Sequence, residues 1–295
     1  MADDPLTFAL ALRRLPSVGR VTMGRLLGLA PTLGALLAIP REQVLLRLRG
    51  TPHAADLVRT LHDDAAMAPL LEEARADADT LARKGVTILS PNRQGWPEGL
   101  ARLERRDRPA LLFTYGHPDV LARPSVAFFG APGLAPVAFE HAQSLLPALA
   151  SRGLTPVLAL STAFDVVMAR VASGVPVPAA TVFSCGLGRV PPPMRPHALT
   201  VTRAGGVMVA PLEMEHGPFP HDEAEWVRVQ VALARVALVY STAPGSPEAQ
   251  ALRQARALGM PVFAPSALAD EDVTPLARDP EADADRIAEV AHAAA

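Results

Sequence analysis

Four short turns combine glycine or hydroxyl residues with a preceding apolar run. They are Gly130-Ala131-Pro132-Gly133, Ser161-Thr162-Ala163-Phe164-Asp165, Gly186-Leu187-Gly188, and Gly245-Ser246 ahead of Pro247-Glu248. Backbone N–H groups gathered in such a turn, at the start of a helix, can hold a phosphate without any reactive side chain. Gly130, Gly133, Gly186, Gly188, Gly245 and Ser246 are therefore candidate contacts for a phosphate-bearing ligand. A fifth candidate is Leu15-Pro16-Ser17-Val18-Gly19, which lies between two helical patterns and is followed by Arg20 and Arg25. It has the form of a helix-hairpin-helix turn, in which glycine allows tight reversal and the second helix's first N–H groups meet a phosphate. Ser17, Gly19, Arg20 and Arg25 are the residues concerned. A hairpin that serves packing alone is the competing reading.

Other chemistry finds less support. Cys185 is the only cysteine, so an intrachain disulfide is excluded, and no base is organised beside it in sequence. His141, His197, His216 and His221 lack helical metal spacing, and no metal site is expected, although His216, His221 and Asp222 are close in sequence. Asp165 reads as an N-cap or first-turn acid. Glu213, Glu215 and Glu223 pair with no nucleophile. There is no Walker A sequence and no Gly-x-Gly-x-x-Gly fingerprint. No catalytic residue and no cofactor is assigned.

The elements that must position these residues read as two regions. Over 6–62, apolar residues recur at spacings of three and four, and Pro16, Pro31, Pro40 and Pro52 punctuate short helices. Residues 63–85 form an acidic connector helix ended by Gly85. Over 86–265, strand and helix signals alternate, which implies a mostly parallel, Rossmann-like sheet with Val126–Phe129 central. Its expected strands are Val86–Leu89, Ala110–Thr114, Ser125–Phe129, Thr155–Leu160, Ala180–Ser184, Val207–Ala210, Ala237–Tyr240 and Pro261–Ala264. Residues 266–295 form an acidic tail with a short helix.

Composition sets outer bounds. The chain has 295 residues, 49% of them apolar, which suits packed domains rather than disorder. No apolar run is long enough for a membrane span, and Met1-Ala-Asp-Asp-Pro5 has no basic signal segment, so a cytoplasmic protein is expected. The formal net charge is only −2, unevenly spread. Residues 1–62 carry +4, 63–85 carry −3, 86–265 carry +3 and 266–295 carry −6. Any electrostatic footprint for phosphate belongs to the first region and to one face of the third.

The order of landmarks over 86–130 resembles the DNA-processing protein A family (DprA/Smf). These landmarks are Val86-Thr-Ile-Leu-Ser90, Gly95-Trp96-Pro97-Glu98-Gly99-Leu100, Arg108-Pro109-Ala110-Leu111-Leu112-Phe113-Thr114-Tyr115-Gly116 and Arg123-Pro124-Ser125-Val126-Ala127-Phe128-Phe129-Gly130. Ser184-Cys185-Gly186-Leu187-Gly188 and Gly259-Met260-Pro261-Val262-Phe263-Ala264-Pro265 continue the likeness. The resemblance implies a small helical domain followed by a Rossmann-like domain. It also implies a non-catalytic protein that binds single-stranded DNA in natural transformation and recombination and hands it to RecA.

Several family positions are changed. Ala131-Pro132 stands where the family has Ser-Arg, and Gly188 where it has Asp. After Gly217-Pro218-Phe219-Pro220 the family's Arg-Asn-Arg run gives way to His221-Asp222-Glu223-Ala224-Glu225-Trp226-Val227-Arg228. Arg228 alone matches a binding arginine there. The expected DNA binding is therefore weak, with RecA and a second copy of the chain as the protein partners to be expected. Two other readings stand beside it. One is a scaffold that has lost DNA and acts through protein contacts. The other is a nucleotide-binding or phosphoribohydrolase-like enzyme, which would need a paired Arg and Glu that the sequence does not locate.

Overall fold

A computed structural model describes residues 4–16, 18–91 and 93–293. The chain divides into two compact units: residues 1–96 with 104–112, and residues 97–103 with 113–295.

The first unit is helical: α1 (Pro5–Arg14), α2 (Arg20–Leu29), α3 (Leu33–Leu37), α4 (Arg41–Arg47), α5 (Ala54–Leu61) and α6 (Asp64–Arg83), followed by strand β1 (Val86–Leu89). Asp4 starts α1 by accepting the Thr7 N–H at 2.9 Å, and Asp63 starts α6 by accepting from Ala65 and Ala66. Phe8, Leu12, Leu26, Leu36, Leu48 and Leu61 form its core, as the three-and-four spacing of leucines predicts. The acidic α6 packs along α1, and Arg14 bonds both Glu73 and Asp77.

The second unit is an α/β layer structure. Its elements are β2 (Leu112–Gly116), β3 (Ser125–Phe129), α7 (Pro136–Ser151), β4 (Thr155–Ala159), α8 (Ala163–Ala172), β5 (Ala180–Val182), α9 (Arg195–Arg203) and β6 (Val207–Ala210). There follow α10 (Glu223–Ala232), β7 (Val236–Val239), α11 (Pro247–Ala257), β8 (Val262–Ala264), β9 (Thr274–Pro275) and α12 (Pro280–Ala293). Sheet order runs β2-β6-β5-β4-β3-β7-β8-β9. All pairings are parallel except β2 with β6. The Rossmann-like, mostly parallel reading is thus correct, with β3 interior as expected. Between β5 and β6 lies α9, which the apolar pattern of 195–203 is too weak to announce.

β3 is wholly buried because helices cover both faces, so its five residues Ser-Val-Ala-Phe-Phe need no polar alternation. Gln230 of α10 is fully buried, and its amide donates to Phe128 O at 3.0 Å and Val157 O at 3.2 Å, tying the helix to β3 and β4. At the other end of α10, Arg102 donates to Ala232 O and Ala234 O. A Cβ on Gly99 would lie 2.0 Å from Ala232 O, so the Gly99 position explains itself: backbone passes against backbone there. The segment after 266, acidic in composition, is also built in. Asp283 of α12 is fully buried and accepts the Ala277 N–H, and Arg152 of α7 bonds Glu281 and Asp285.

Gln230→Ala removes two hydrogen bonds and leaves a cavity in the middle of the sheet. It should cost about 2–4 kcal/mol, read as a lower urea midpoint with unchanged slope.

Candidate nucleic-acid interface

The sheet reverses its winding between β3 and β7. β3 leads through α7 to β4 on one side, whereas β7 enters on the other side after β6. The crevice outside the carboxyl ends of these two strands is where doubly wound sheets bind ligands. The first candidate turn meets the segment after β7 here, four residues ahead of Gly245. Ala131 N–H of the first turn donates to Ser241 Oγ at 3.2 Å, just after β7. Behind them sits an aromatic cluster. The Phe164 ring lies 5.8 Å from Phe139 and 6.3 Å from Tyr240, centroid to centroid. A Cβ on Gly130 would come within 2.7 Å of the Phe164 ring, so glycine is required there by the aromatic wall. Gly133 is exposed with open space around it. Pro132 is exposed too and carries no N–H.

The second turn is filled by a carboxyl group of its own helix. Asp165 is buried, and its Oδ2 accepts from Ser161 N, Ser161 Oγ, Thr162 N and Thr162 Oγ1 at 2.8–3.0 Å. Thr162 Oγ1 in turn accepts the Asp165 N–H, completing a capping box on α8. Burial holds the Asp165 carboxyl above the usual carboxylate range, opposed by those four donors. Of the two roles expected for Asp165, the first-turn acid holds, since Thr162 is the N-cap of α8, and the Asp165 carboxyl group occupies the place at the helix start that a phosphate would take.

The third turn is also committed. Gly186 N–H donates to His216 O at 2.9 Å, and Gly188 N–H to Met214 O at 2.9 Å. A Cβ on Gly186 would stand 1.7 Å from Glu213 O. These glycines exist so that the 213–216 loop can lie on the turn. Arg189 beside them pairs with Glu215 at 2.9 Å. Cys185 is buried, and burial pushes its thiol up, which suits a packed small residue.

The fourth turn opens α11. Gly245 is exposed at φ +78°, and Ser246 Oγ caps the helix by accepting the Ala249 N–H at 3.2 Å. Glu248 is buried in the first turn of α11. The Glu223 carboxyl at the start of α10 is raised by burial and by the negative charge of Glu248. Acids therefore serve the helix dipoles at both starts. Arg228 lies one helical turn further along α10, partly buried.

In the first unit, Gly19 is the N-cap of α2, exposed and unconfined. Arg20 is the first residue of that helix, and Arg25 is exposed and donates to Arg49 O and Thr51 Oγ1 at 3.2 Å. Ser17 lies outside the described residues.

Two clusters carry no assigned role in the sequence expectations, the second noted there only as neighbours in the chain. In the first, Tyr240 Oη, His141 Nδ1 and Nε2, and Asp283 Oδ2 form a chain with spacings of 3.2 and 3.1 Å. Burial and the Asp283 charge push the Tyr240 phenol far above its usual range, which keeps it a neutral hydrogen-bonding group. Nothing local in the sequence pairs residues 141, 240 and 283. In the second, His216, His221 and Asp222 bring their ligand atoms within 4.8 Å of one another. Here the His-x-x-x-x-His-Asp spacing was the available signal, and a helical template could not find it because the residues sit in a loop.

Comparison with known proteins follows this geometry. Residues 87–291 match the model of the family described as DNA recombination-mediator protein A. Among solved structures, DNA processing protein A from Streptococcus pneumoniae superimposes with a TM-score of 0.56 at 16% identity, covering 92% of this chain and 93% of that one. DNA processing protein A from Helicobacter pylori, whose structure addresses its single-stranded DNA binding mode, gives 0.53 at 22% identity, covering 63% of this chain and 84% of that one. At these identities the two structures speak to the fold. No curated protein matches the chain.

Gly186→Ala should abolish soluble, folded protein, because the new methyl overlaps backbone. Gly133→Ala, facing open space, should stay within about 0.5 kcal/mol of the parent by thermal and urea unfolding.

Proposed function

This chain belongs to the DNA recombination-mediator protein A family, and from that membership we propose that it is a non-catalytic single-stranded DNA-binding protein. The match over residues 87–291 is the observation that carries the reading. Its place of action would be the cytoplasm, in DNA uptake and recombination, with RecA receiving the strand and a second copy of the chain as a further partner. No described helix is long and apolar enough to cross a membrane, which agrees with this setting.

The contacts differ in weight. Arg20, at the start of α2 beside Gly19, and Arg25, further along that helix, supply cations in the most basic part of the chain. The reading takes Gly130, Gly133, Gly245 and Ser246 as its contacts in the turns after β3 and β7, and Arg228 of α10 as a further cation. Gly186 and Gly188 act as permissive backbone under the 213–216 loop, since their N–H groups are engaged. With few phosphates to neutralise and acids at two helix starts, binding is weak and salt-sensitive. Stacking on Phe219, which is 50% exposed, offers a base-independent supplement.

Fluorescence anisotropy with a labelled oligothymidylate tests the reading. Arg20→Glu with Arg25→Glu should weaken binding by roughly tenfold or more and flatten its salt slope. Arg253→Glu with Arg278→Glu should change it little. Equal losses from both pairs, or salt-independent affinity, would count against an electrostatic contact through α2.

A second variant probes the altered first turn. Ala131→Ser with Pro132→Arg restores a hydroxyl and a guanidinium beside the crevice. If the missing groups limit affinity, each adds a charge-assisted bond of about 1.5–3 kcal/mol, and binding should tighten by roughly a hundredfold or more. A folded double variant that binds no better would favour the scaffold reading, in which the crevice has closed to nucleic acid.

A further inference from the structure

We propose that His216, His221 and Asp222 form a binding site for a divalent transition-metal ion of the zinc class. The three residues belong to one loop between β6 and α10. Asp222 is buried, and each of its oxygens faces an imidazole: Oδ2 lies 2.8 Å from His216 Nε2 and Oδ1 lies 3.5 Å from His221 Nε2. Two imidazole nitrogens and a carboxylate oxygen are the donor set of open, three-ligand zinc sites, with a fourth position left to water or substrate.

The surroundings fix the donors. The Phe219 ring is edge-on to His216 at 5.2 Å and stacked on His221 at 5.4 Å, so one aromatic side chain orients both imidazoles. The Phe219 N–H donates to Asp222 Oδ2 at 3.3 Å, an outer contact that steadies the carboxylate. The His216 backbone is pinned by the Gly186 N–H. His221 is mostly exposed, which leaves its ring free to close on an ion and leaves one side open. On binding, the ion replaces the His216 Nε2–Asp222 Oδ2 hydrogen bond, the neutral imidazole carries its one N–H on Nδ1, and the nitrogen–oxygen separation opens to roughly the 3.3 Å that two ligands of a tetrahedral ion keep.

The site lies where the acids entered this chain, directly before Glu223 and Glu225. A bound dication would offset them, and its open position suits a phosphate oxygen. This consequence rests on the single-stranded DNA reading above; the metal site itself does not.

The test uses the full chain, freed of metal by chelator and dialysis. Titration calorimetry with Zn²⁺ should show one equivalent bound. Co²⁺ should give the visible absorption of a tetrahedral nitrogen–oxygen site. His221→Ala, at an exposed position, should fold normally and lose at least about tenfold in affinity. His216→Ala should do the same, and His53→Ala in the first unit should bind like the parent. Absent uptake, or uptake unchanged in both loop variants, would overturn the site and leave a plain His-Asp-His hydrogen-bonded cluster. Anisotropy with oligothymidylate, with and without Zn²⁺, separates the two readings. Zn²⁺-enhanced DNA binding lost in His221→Ala supports bridging. Metal uptake with no effect on DNA keeps the site and overturns the bridging. DNA binding without metal uptake keeps the function and overturns the site.

Discussion

Backbone N–H groups at the carboxyl ends of parallel strands point outward and must find acceptors, and in this chain the protein provides them from within. Ser241 takes the Ala131 N–H, Asp165 takes those of Ser161 and Thr162, and the carbonyls of His216 and Met214 take those of Gly186 and Gly188. Each such bond stiffens the rim of the sheet. Each also consumes a donor that a phosphate would use. The same scaffold geometry that makes this end of a doubly wound sheet a natural ligand site thus stabilises the protein's own turns here.

How far the sequence reveals this depends on range. β3 is legible because Ser125–Phe129 is a short buried run bounded by Pro124 and Gly130, and its limits are met to the residue. Asp165 is legible as a first-turn acid because its partners are three and four residues away. β2 is displaced by two residues from the expected Ala110–Thr114, because antiparallel pairing with β6, from Phe113 against Ala210 to Gly116 against Val207, decides its register. The role of Gly186 is invisible in sequence, since what forbids a side chain there is Glu213 O, some twenty-seven positions away. The Tyr240–His141–Asp283 chain is invisible for the same reason.

Asp283 shows what composition misleads about. Residues 266–295 are strongly acidic, which in isolation suggests a solvated tail. Yet Ala284, Ile287, Ala288 and Ala291 are buried, and α12 packs along α7. The acids divide by face. Glu281 and Asp285 meet Arg152 at the surface, whereas Asp283 turns inward to the Ala277 N–H and His141. A buried carboxylate with backbone and imidazole donors is satisfied, and breaking it from either side would strand a charge in the core.

The loop between β6 and α10 joins these themes. Its backbone closes the third glycine turn through Met214 and His216, and its side chains gather two imidazoles on one buried carboxylate. Backbone and side chain of His216 are therefore coupled: whatever orders the ring also holds the carbonyl that accepts from Gly186. A cation at Asp222 would order the loop from its exposed end, and the Gly186 and Gly188 bonds order it from its buried end. The change from arginines to His221-Asp222-Glu223 has removed the fixed positive charge that a nucleic acid would meet. In its place stands a donor set whose charge is decided by what it binds. On the proposed metal-site reading, affinity for phosphate at this rim would be conditional on an added cation, where a guanidinium would have made it permanent.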